Sequence, residues 1–167
     1  EHELSEYELA FPSRFATWEK RQLEPTEWAV FDPEHLESDY PRDMEKLEDL
    51  SVYVSGRNGR VRYMVTGEST AKNLTAVRLE VLTDERLPHQ GPGRRESDGN
   101  FVLSEFKVSW APLGTNPEVD ADKQAWKNIS LTDAIADFSQ KEFDVTYATD
   151  GKLNDDKGWA IKPETGK

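Results

Sequence analysis

Short segments in which apolar and polar residues alternate, each followed by a loop rich in Gly, Pro, Asn or Asp, dominate this sequence. In the stretch Arg78–Trp110, strand-like residues at Ala76–Leu82 and Asn100–Trp110 flank a polar loop. Alternation with a period of two places apolar side chains on one face of a strand. Helical periodicity is weak beyond the first 22 residues. The pattern therefore predicts an all-β fold of about five to eight strands.

One hairpin is predicted by the turn chemistry. Ser51–Ser55 alternates, Val61–Thr66 is its candidate partner strand, and Arg57–Arg60 between them contains Asn58-Gly59. Asn-Gly readily takes the positive φ angles of a two-residue hairpin turn. We therefore expect these two strands to pair with each other.

Other segments also carry a strand pattern. Further strands are predicted at Glu27–Phe31, Leu74–Leu82, Phe101–Trp110, Ser130–Ser139 and Phe143–Tyr147, with Ala111–Ile129 as a long loop. Within Phe101–Trp110 the apolar positions change from odd to even numbers, which strict alternation cannot bury on one side. A bulge near Ser104-Glu105 is expected there, and it would point a side chain towards a site.

The chain is expected to contain a lead-in and one module. Ser13 is placed to cap a short helix from Arg14 to Gln22, with Trp18 on its buried side. Residues 1–24 are thus predicted to be a helical linker and residues 25–167 a β-sandwich module. A sub-boundary is possible near residues 112–129, where the loop is rich in Pro and charge.

Charge and composition exclude several classes of function. Lys and Arg total 21 against 33 Asp and Glu, so the net charge is −12. Repulsion disfavours nucleic acid and anionic membranes as partners. There is no cysteine, so disulfides and thiol chemistry are excluded. No segment has the roughly 18 apolar residues of a membrane-spanning helix, so membrane insertion is not expected.

Long ordered motifs in the second half resemble a known family. GPGRRESDGNFVLSEFKV, TAVRLEVLTDERLP and ADFSQKEFDVTYATDG with GWAIKPETG are similar to segments of planctomycete-type multidomain cytochrome c proteins. The resemblance runs from about residue 12 to the end and is lowest at Asp32–Glu48. It implies a carbohydrate-binding module of galactose-binding-like (discoidin) jelly-roll fold in a larger periplasmic or extracellular protein. The haem motif of that family belongs to another domain, so no haem is expected in this fragment.

A looser similarity to discoidin-type sugar-binding sandwiches is carried by two motifs. Ala148–Gly151 with Trp159 resembles an Ala-x-Asp-Gly…Trp segment, and Leu103–Val108 resembles a Glu-containing strand. The two occur in reversed order. Either the module is circularly permuted, or one sandwich ends near residue 112 and another begins near residue 129.

Carbohydrate recognition needs polar groups for hydroxyls and an aromatic face for the sugar ring. The candidate polar groups lie on the loop, and Trp159, Trp110 or Trp126 supplies the platform. The predicted ligand-binding residues are His89, Arg94, Arg95, Asp98, Asn100 and Trp159. The alternative is that Trp159 and Trp110 are core residues and that Arg94 fastens its own loop.

A structural calcium ion is the candidate cofactor. Calcium takes six to eight oxygen ligands, and in discoidin-like modules the Asp-Gly loop and the strand Glu share such an ion. The resemblance places this role on Glu105, Asp150, Asp155 and Asp156. The alternative is that Asp150-Gly151 is a plain turn and that the following acidic residues form a solvated loop.

Catalysis is not expected. His2, His35 and His89 are scattered, and neither a metalloprotease nor a phosphate-binding motif occurs. The sequence therefore predicts a non-catalytic carbohydrate-binding module whose partner is a polysaccharide or glycan. The alternative is a structural or protein-interaction module that docks neighbouring domains of the full-length protein without binding sugar.

Overall fold

The structure is a computed structural model that describes residues 11–16, 28–39, 44–116, 119, 124–153 and 156–166. The chain divides into two compact units, Glu1–Val30 and Phe31–Lys167. We treat each unit by itself, and the features that bear on function lie in the second.

In the first unit, residues 11–16 are helical. Phe11 and Phe15 lie one turn apart and stack, with ring centroids 6.0 Å apart. Ser13 lies inside the helix, so its prediction as the N-cap is wrong. The rest of the predicted helix, including Trp18, lies outside the described residues.

The second unit contains short antiparallel strands and two short 3-10 helices. The strands are β1 (His35–Ser38), β2 (Met44–Lys46), β3 (Val52–Val54), β4 (Tyr63–Thr66), β5 (Val108–Trp110) and β6 (Lys127–Ile129), and the 3-10 helices are Pro88–Gln90 and Val145–Thr149. The strands form three two-stranded sheets, β1–β4, β2–β3 and β5–β6. The described chain is therefore predominantly β, as its alternation predicts.

Strands β1 to β4 form a nested ribbon, and the predicted hairpin is wrong. β3 pairs with β2, and β4 pairs with β1, so the two expected partners are not neighbours. The reversal lies instead between β2 and β3, where Leu47 donates its backbone N–H to Ser51 at 2.8 Å. Asp49 accepts from the backbone and the hydroxyl of Ser51 at 3.0 and 2.6 Å. These bonds from Ser51 lower the pKa of the Asp49 carboxyl.

Several other strand predictions are also wrong. No ladder occurs in residues 28–31, 74–82 or 130–139, and Val145–Thr149 is a 3-10 helix. Conversely, β6 lies where a loop is expected, at Lys127–Ile129. Because β6 pairs with β5, one sheet joins the chain on both sides of residues 112–126.

The predicted change of phase in Phe101–Trp110 coincides with a change of partner. Leu103 forms an antiparallel bridge with Trp159, Phe106 donates its N–H to the Ala148 carbonyl at 2.6 Å, and Val108 begins the ladder with β6. Phe101 and Leu103, then Phe106 and Val108, are the more buried positions. The segment reverses its buried face at Ser104-Glu105 because it moves from one partner to the next, rather than through a bulge in one ladder.

The core is small and forms around the C-terminal segment. Ala148, Trp159, Ala160 and Ile161 are buried, and partly buried apolar residues such as Phe101 and Leu103 pack against them. Phe101 meets Trp159 edge to face at 5.2 Å, a favourable geometry for two aromatic rings. In the described residues, no helix is long and apolar enough to cross a membrane.

Candidate functional site

A cleft of about 300 Å³ lies beside the β5–β6 ladder. Its walls are Glu105–Val108, Asn128–Leu131 and the turn Thr149–Gly151. It thus brings together Glu105 and Asp150, two of the four residues predicted to hold a cation. Of the others, Asp156 is exposed and does not line the cleft, and Asp155 lies outside the described residues.

The position of Glu105 follows from the change of partner described above. Hydrogen bonds at Leu103 and Phe106 hold the backbone on either side of it. Its Oε2 atom is buried and has no hydrogen-bond partner among the described residues. A buried carboxylate oxygen without a donor is unfavourable. Because this oxygen is covered, a ligand group in the cleft could bond to it only after the side chain turns.

The opposite wall is a turn built by local capping. Asp144 caps the 3-10 helix Val145–Thr149, accepting from the backbone N–H and the hydroxyl of Thr146 at 3.0 and 2.7 Å. These bonds lower the pKa of the Asp144 carboxyl. At the other end Asp150 accepts from the Lys152 N–H at 2.8 Å, and Gly151 turns the chain with a φ of 77°. The exposed carboxylate of Asp150 therefore sits on a defined turn at the rim of the cleft.

Trp110 is the exposed aromatic residue of this region. It is 51% exposed, and the ammonium of Lys127 lies 5.3 Å from its ring centroid. Trp110 faces Lys127 in the ladder, while Val108 faces Ile129. Alternate residues of a strand share a face, so Trp110 lies on the same face as Val108, which lines the cleft.

The loop Gly91–Asn100, predicted to bind a ligand, is folded back on itself. Gly93 donates its N–H to the Gly99 carbonyl at 2.9 Å, and Gly99 donates to the Arg95 carbonyl at 2.7 Å. A methyl group on Gly93 would lie 2.1 Å from the Asn100 carbonyl oxygen. Glycine is required there because two backbone segments touch. None of these residues lines the cleft.

Two loop residues reach to other parts of the chain rather than to solvent. Arg94 donates to the Ser55 carbonyl at 2.9 Å and to the Tyr63 hydroxyl, and so joins the loop to the nested ribbon. Asn100 is 3% exposed; it donates to Gln140 Oε1 at 3.0 Å, and its Oδ1 accepts from the Ile161 N–H at 3.2 Å. Both side chains are held by bonds within the chain.

The remaining loop candidates differ in their environment. Asp98 accepts from Lys162 Nζ at 3.1 Å and lies 3.5 Å from Arg95 Nε. Its pKa is lowered: burial acts to raise it, but the bonds from Lys162 and the Asn100 N–H and the nearby positive charges outweigh that effect. Arg95 and His89 are exposed, and His89 has a φ of 55°.

Trp159 is a core residue. It is 7% exposed, and its indole N–H donates to the Phe138 carbonyl at 2.9 Å. Both bonds of its bridge to Leu103 are short, at 2.8 and 2.9 Å. A sugar platform needs an open ring face, which this position does not offer. Trp126 is half-buried, and its indole nitrogen is buried.

Calcium can be judged by the donors present. The residues that line the cleft include two with carboxylates, Glu105 and Asp150, and oxygen is the ligand atom that calcium prefers. Among the residues that the structure describes, no three acidic or His side chains come together. The cleft by itself therefore provides fewer carboxylate ligands than a calcium cage usually has.

Sequence reasoning missed the contribution of β6. Asn128 and Ser130 line the cleft, and Asn128 accepts from the Ser109 hydroxyl at 2.8 Å. One sequence signal could have predicted β6. The apolar Ile129 lies among the polar residues Lys127, Asn128 and Ser130, a pattern that suits a partner for the strand that contains Trp110.

Comparison with protein-family models, with curated proteins and with solved structures found no significant match to this chain. The functional reading therefore depends on the site itself and on the resemblance described above.

Proposed function

We propose that this chain is a non-catalytic carbohydrate-binding module of a larger extracytoplasmic protein, with a β-sandwich of jelly-roll type. The observation that carries the proposal is Trp110, which is 51% exposed and shares a strand face with Val108 of the cleft wall. An exposed indole face suits the apolar face of a sugar ring, and such aromatic residues often dominate binding.

The cleft provides the complementary polar contacts. Glu105 and Asp150, which line the cleft, offer carboxylate groups. Asn128 pairs with Ser109 on the other face of the ladder from Trp110, so its side chain does not share a ligand with Trp110. Carboxylates fix the orientation of a polyhydroxylated ligand through a few placed hydrogen bonds. With one aromatic platform per module the affinity is weak, so the module gains strength through several copies on one polymer.

In this proposal the ligand contacts lie in the cleft rather than in the loop Gly91–Asn100. Arg94 and Asn100 serve the fold, whereas Trp110 and Asp150 serve the ligand. His89 and Arg95 stay available as additional contacts, since both are exposed. A structural calcium ion, if bound, would be held by Glu105 and Asp150 and would brace the turn against β5.

Affinity electrophoresis in gels that contain soluble polysaccharides, together with a glycan array, tests the proposal. Trp110→Ala is expected to weaken retardation by about tenfold or more, as loss of an aromatic anchor does. Trp110→Phe should retain part of the binding. Leu113→Ala, which truncates a 78% exposed side chain three residues away, should leave it unchanged.

Two results would contradict the proposal. One is a wild-type chain that no polysaccharide retards; the other is binding that Trp110→Ala leaves intact. Release of reducing ends from a retained polysaccharide would instead show hydrolysis, for which a carboxylate pair in a cleft is the usual machinery.

The second candidate is a structural or protein-interaction module. It is favoured by a run of exposed apolar residues in one extended segment, Leu74, Val77, Leu79 and Leu82. Exposed apolar patches of this kind mark interaction surfaces. The two candidates differ in which substitutions matter: Trp110 for sugar binding, and residues 74–82 for docking.

A further inference from the structure

Residues 74–82 form a largely exposed, extended segment. The chain turns at Asn73, which has a φ of 57°, and then runs to residue 84 without a turn, bend or helix. Leu74, Val77, Leu79 and Leu82 are 66%, 49%, 44% and 49% exposed. Among the described residues, no backbone–backbone hydrogen bond involves 74–77 or 79–82.

The segment reads the same in both directions on one of its faces. The odd-numbered residues are Thr75, Val77, Leu79, Val81 and Thr83. On the other face Arg78 and Glu80, on either side of the central leucine, form an ion pair within the chain. A strand with a palindromic face and opposite charges about its centre is complementary to itself.

We propose that residues 75–83 pair with the same segment of a second copy of this chain, as antiparallel strands centred on Leu79. In this register Leu79 faces its own counterpart, Val77 faces Val81, and Thr75 faces Thr83. Arg78 of each copy faces Glu80 of the other. The pair has two-fold symmetry, as the interface of a closed dimer must have.

Three physical effects favour this pairing. The backbone N–H and C=O groups of Thr75–Val77 and Leu79–Leu82 gain partners, which is the basis of strand addition at a sheet edge. Apolar and Thr–Thr pairs directly opposite each other stabilise an antiparallel ladder. Val81 already packs against the core of its own copy, so the apolar face of the dimer would extend that core towards Val77 of the other copy.

Charge selects the register. If the centre moves to Arg78, two guanidinium groups face each other; if it moves to Glu80, two carboxylates do. Like charges directly opposite each other destabilise a ladder. If the register shifts by a single residue, charged side chains lie opposite apolar ones. The apolar side chains of one strand then point to the opposite face of the ladder from those of its partner. The register about Leu79 alone pairs each charge with its opposite.

Sedimentation of charge-reversal variants tests the proposal. The wild-type chain is expected to dimerise reversibly with concentration. Arg78→Glu and Glu80→Arg, each alone, should weaken dimerisation by roughly tenfold or more, because each places like charges opposite each other twice. An equimolar mixture of the two single variants should form a heterodimer, since every cross-strand pair is again opposite in sign.

Recovery on mixing is decisive because the ion pair within one chain cannot be restored by a second chain. A mixture that stays monomeric would overturn the proposal, as would a wild-type chain that is monomeric at all concentrations. Binding of this segment by a different protein, without self-association, would also count against it. Leu79→Pro, which removes a central backbone donor, should abolish the dimer while the circular dichroism spectrum is retained.

Cross-linking tests the register independently. The chain has no cysteine, so Leu79→Cys introduces a single thiol that faces its own counterpart at a distance compatible with a disulfide. It should cross-link under mild oxidation. Val77→Cys is the matched control: its exposure is similar, but its counterpart lies four positions away along the ladder, and it should not. Equal cross-linking of both variants would exclude the proposed register.

Discussion

Asn100 joins three segments of the chain through one side-chain amide. Its nitrogen donates to Gln140, and its oxygen accepts from the backbone of Ile161, close to Trp159 in the core. Its own N–H donates to Asp98 at 3.2 Å. A buried amide with satisfied groups fixes the relative positions of the segments it joins.

Replacing Asn100 by alanine should destabilise the fold strongly. The substitution removes two side-chain hydrogen bonds and leaves the Ile161 N–H and the side-chain oxygen Oε1 of Gln140 without their Asn100 partner. The expected loss is about 3 kcal/mol in the free energy of unfolding. Urea titration followed by tryptophan fluorescence measures it.

Asn58→Ala is the control for this substitution. Asn58 is exposed, and its side chain accepts only from the N–H of Gly59, at 3.0 Å. We expect a change of less than about 0.5 kcal/mol there. Similar losses for the two variants would show that the amide of Asn100 has no special structural role.

For single residues, the sequence shows which side chains can bind a ligand, but it does not show which other residues surround them in the fold. Asn100 and Arg94 follow glycines in a polar loop, which is equally typical of a ligand-binding loop and of a loop fastened to the core. The outcome depends on Gln140, Ile161 and Tyr63, which are remote along the chain. Glu105 and Asp150 were predicted to lie close together because the strand Glu and the Asp-Gly loop do so in the discoidin-type modules that the sequence resembles.

The strands show which element pairings can be read from local chemistry. Asn58-Gly59 is a strong turn signal, yet it lies on one arm of the nested ribbon, between β3 and β4. Eight residues, 55–62, separate β3 from β4 along the chain, whereas five residues, 39–43, separate β1 from β2. The three additional residues between β3 and β4 make room for the Asn58-Gly59 turn, which therefore does not reverse the ribbon. The β-type segments themselves were predictable at β3 and β5 from their alternation, and at β4 from its β-branched and aromatic residues.

The close packing of the loop Gly91–Asn100 predicts that a side chain at Gly93 will destabilise the whole loop. Gly93→Ala places a methyl group against the backbone of Asn100, and the loop can accept it only by opening. We expect a loss of about 3 kcal/mol in the free energy of unfolding. Thermal unfolding by calorimetry measures the shift.

Gly114→Ala is the matched control, because nothing lies within 4 Å of its added methyl group although its φ is 83°. The left-handed conformation alone costs about 1 kcal/mol. A smaller effect at Gly93 than at Gly114 would contradict the close packing of the loop. Binding to polysaccharide should be unchanged in both variants, since neither residue lines the cleft.

For the whole molecule, the net charge of −12 disfavours anionic partners and favours the uptake of cations. If calcium binds at Glu105 and Asp150, added calcium should raise the melting temperature and a chelator should reverse the rise, because an ion that binds only the folded state stabilises it. Differential scanning fluorimetry with calcium, with magnesium and with chelator measures this.

The control separates a site from general screening of charge. Glu105→Gln should abolish the calcium response, whereas Glu37→Gln, on the exposed β1 strand, should keep it. Equal stabilisation by calcium and by magnesium in both variants would indicate screening. An unchanged melting temperature in all conditions would exclude a structural ion at the cleft.

The bridge between Leu103 and Trp159 also has a consequence for biosynthesis. The nested ribbon closes through contacts near in sequence, so its loop-closure entropy is small. The core instead waits for the segment that carries Trp159, Ala160 and Ile161. While the ribosome is still extending the chain, Phe101 and Leu103 are already outside but uncovered. Until that segment emerges, the nascent protein exposes an apolar strand that is prone to aggregate. A chaperone would be most useful during this period.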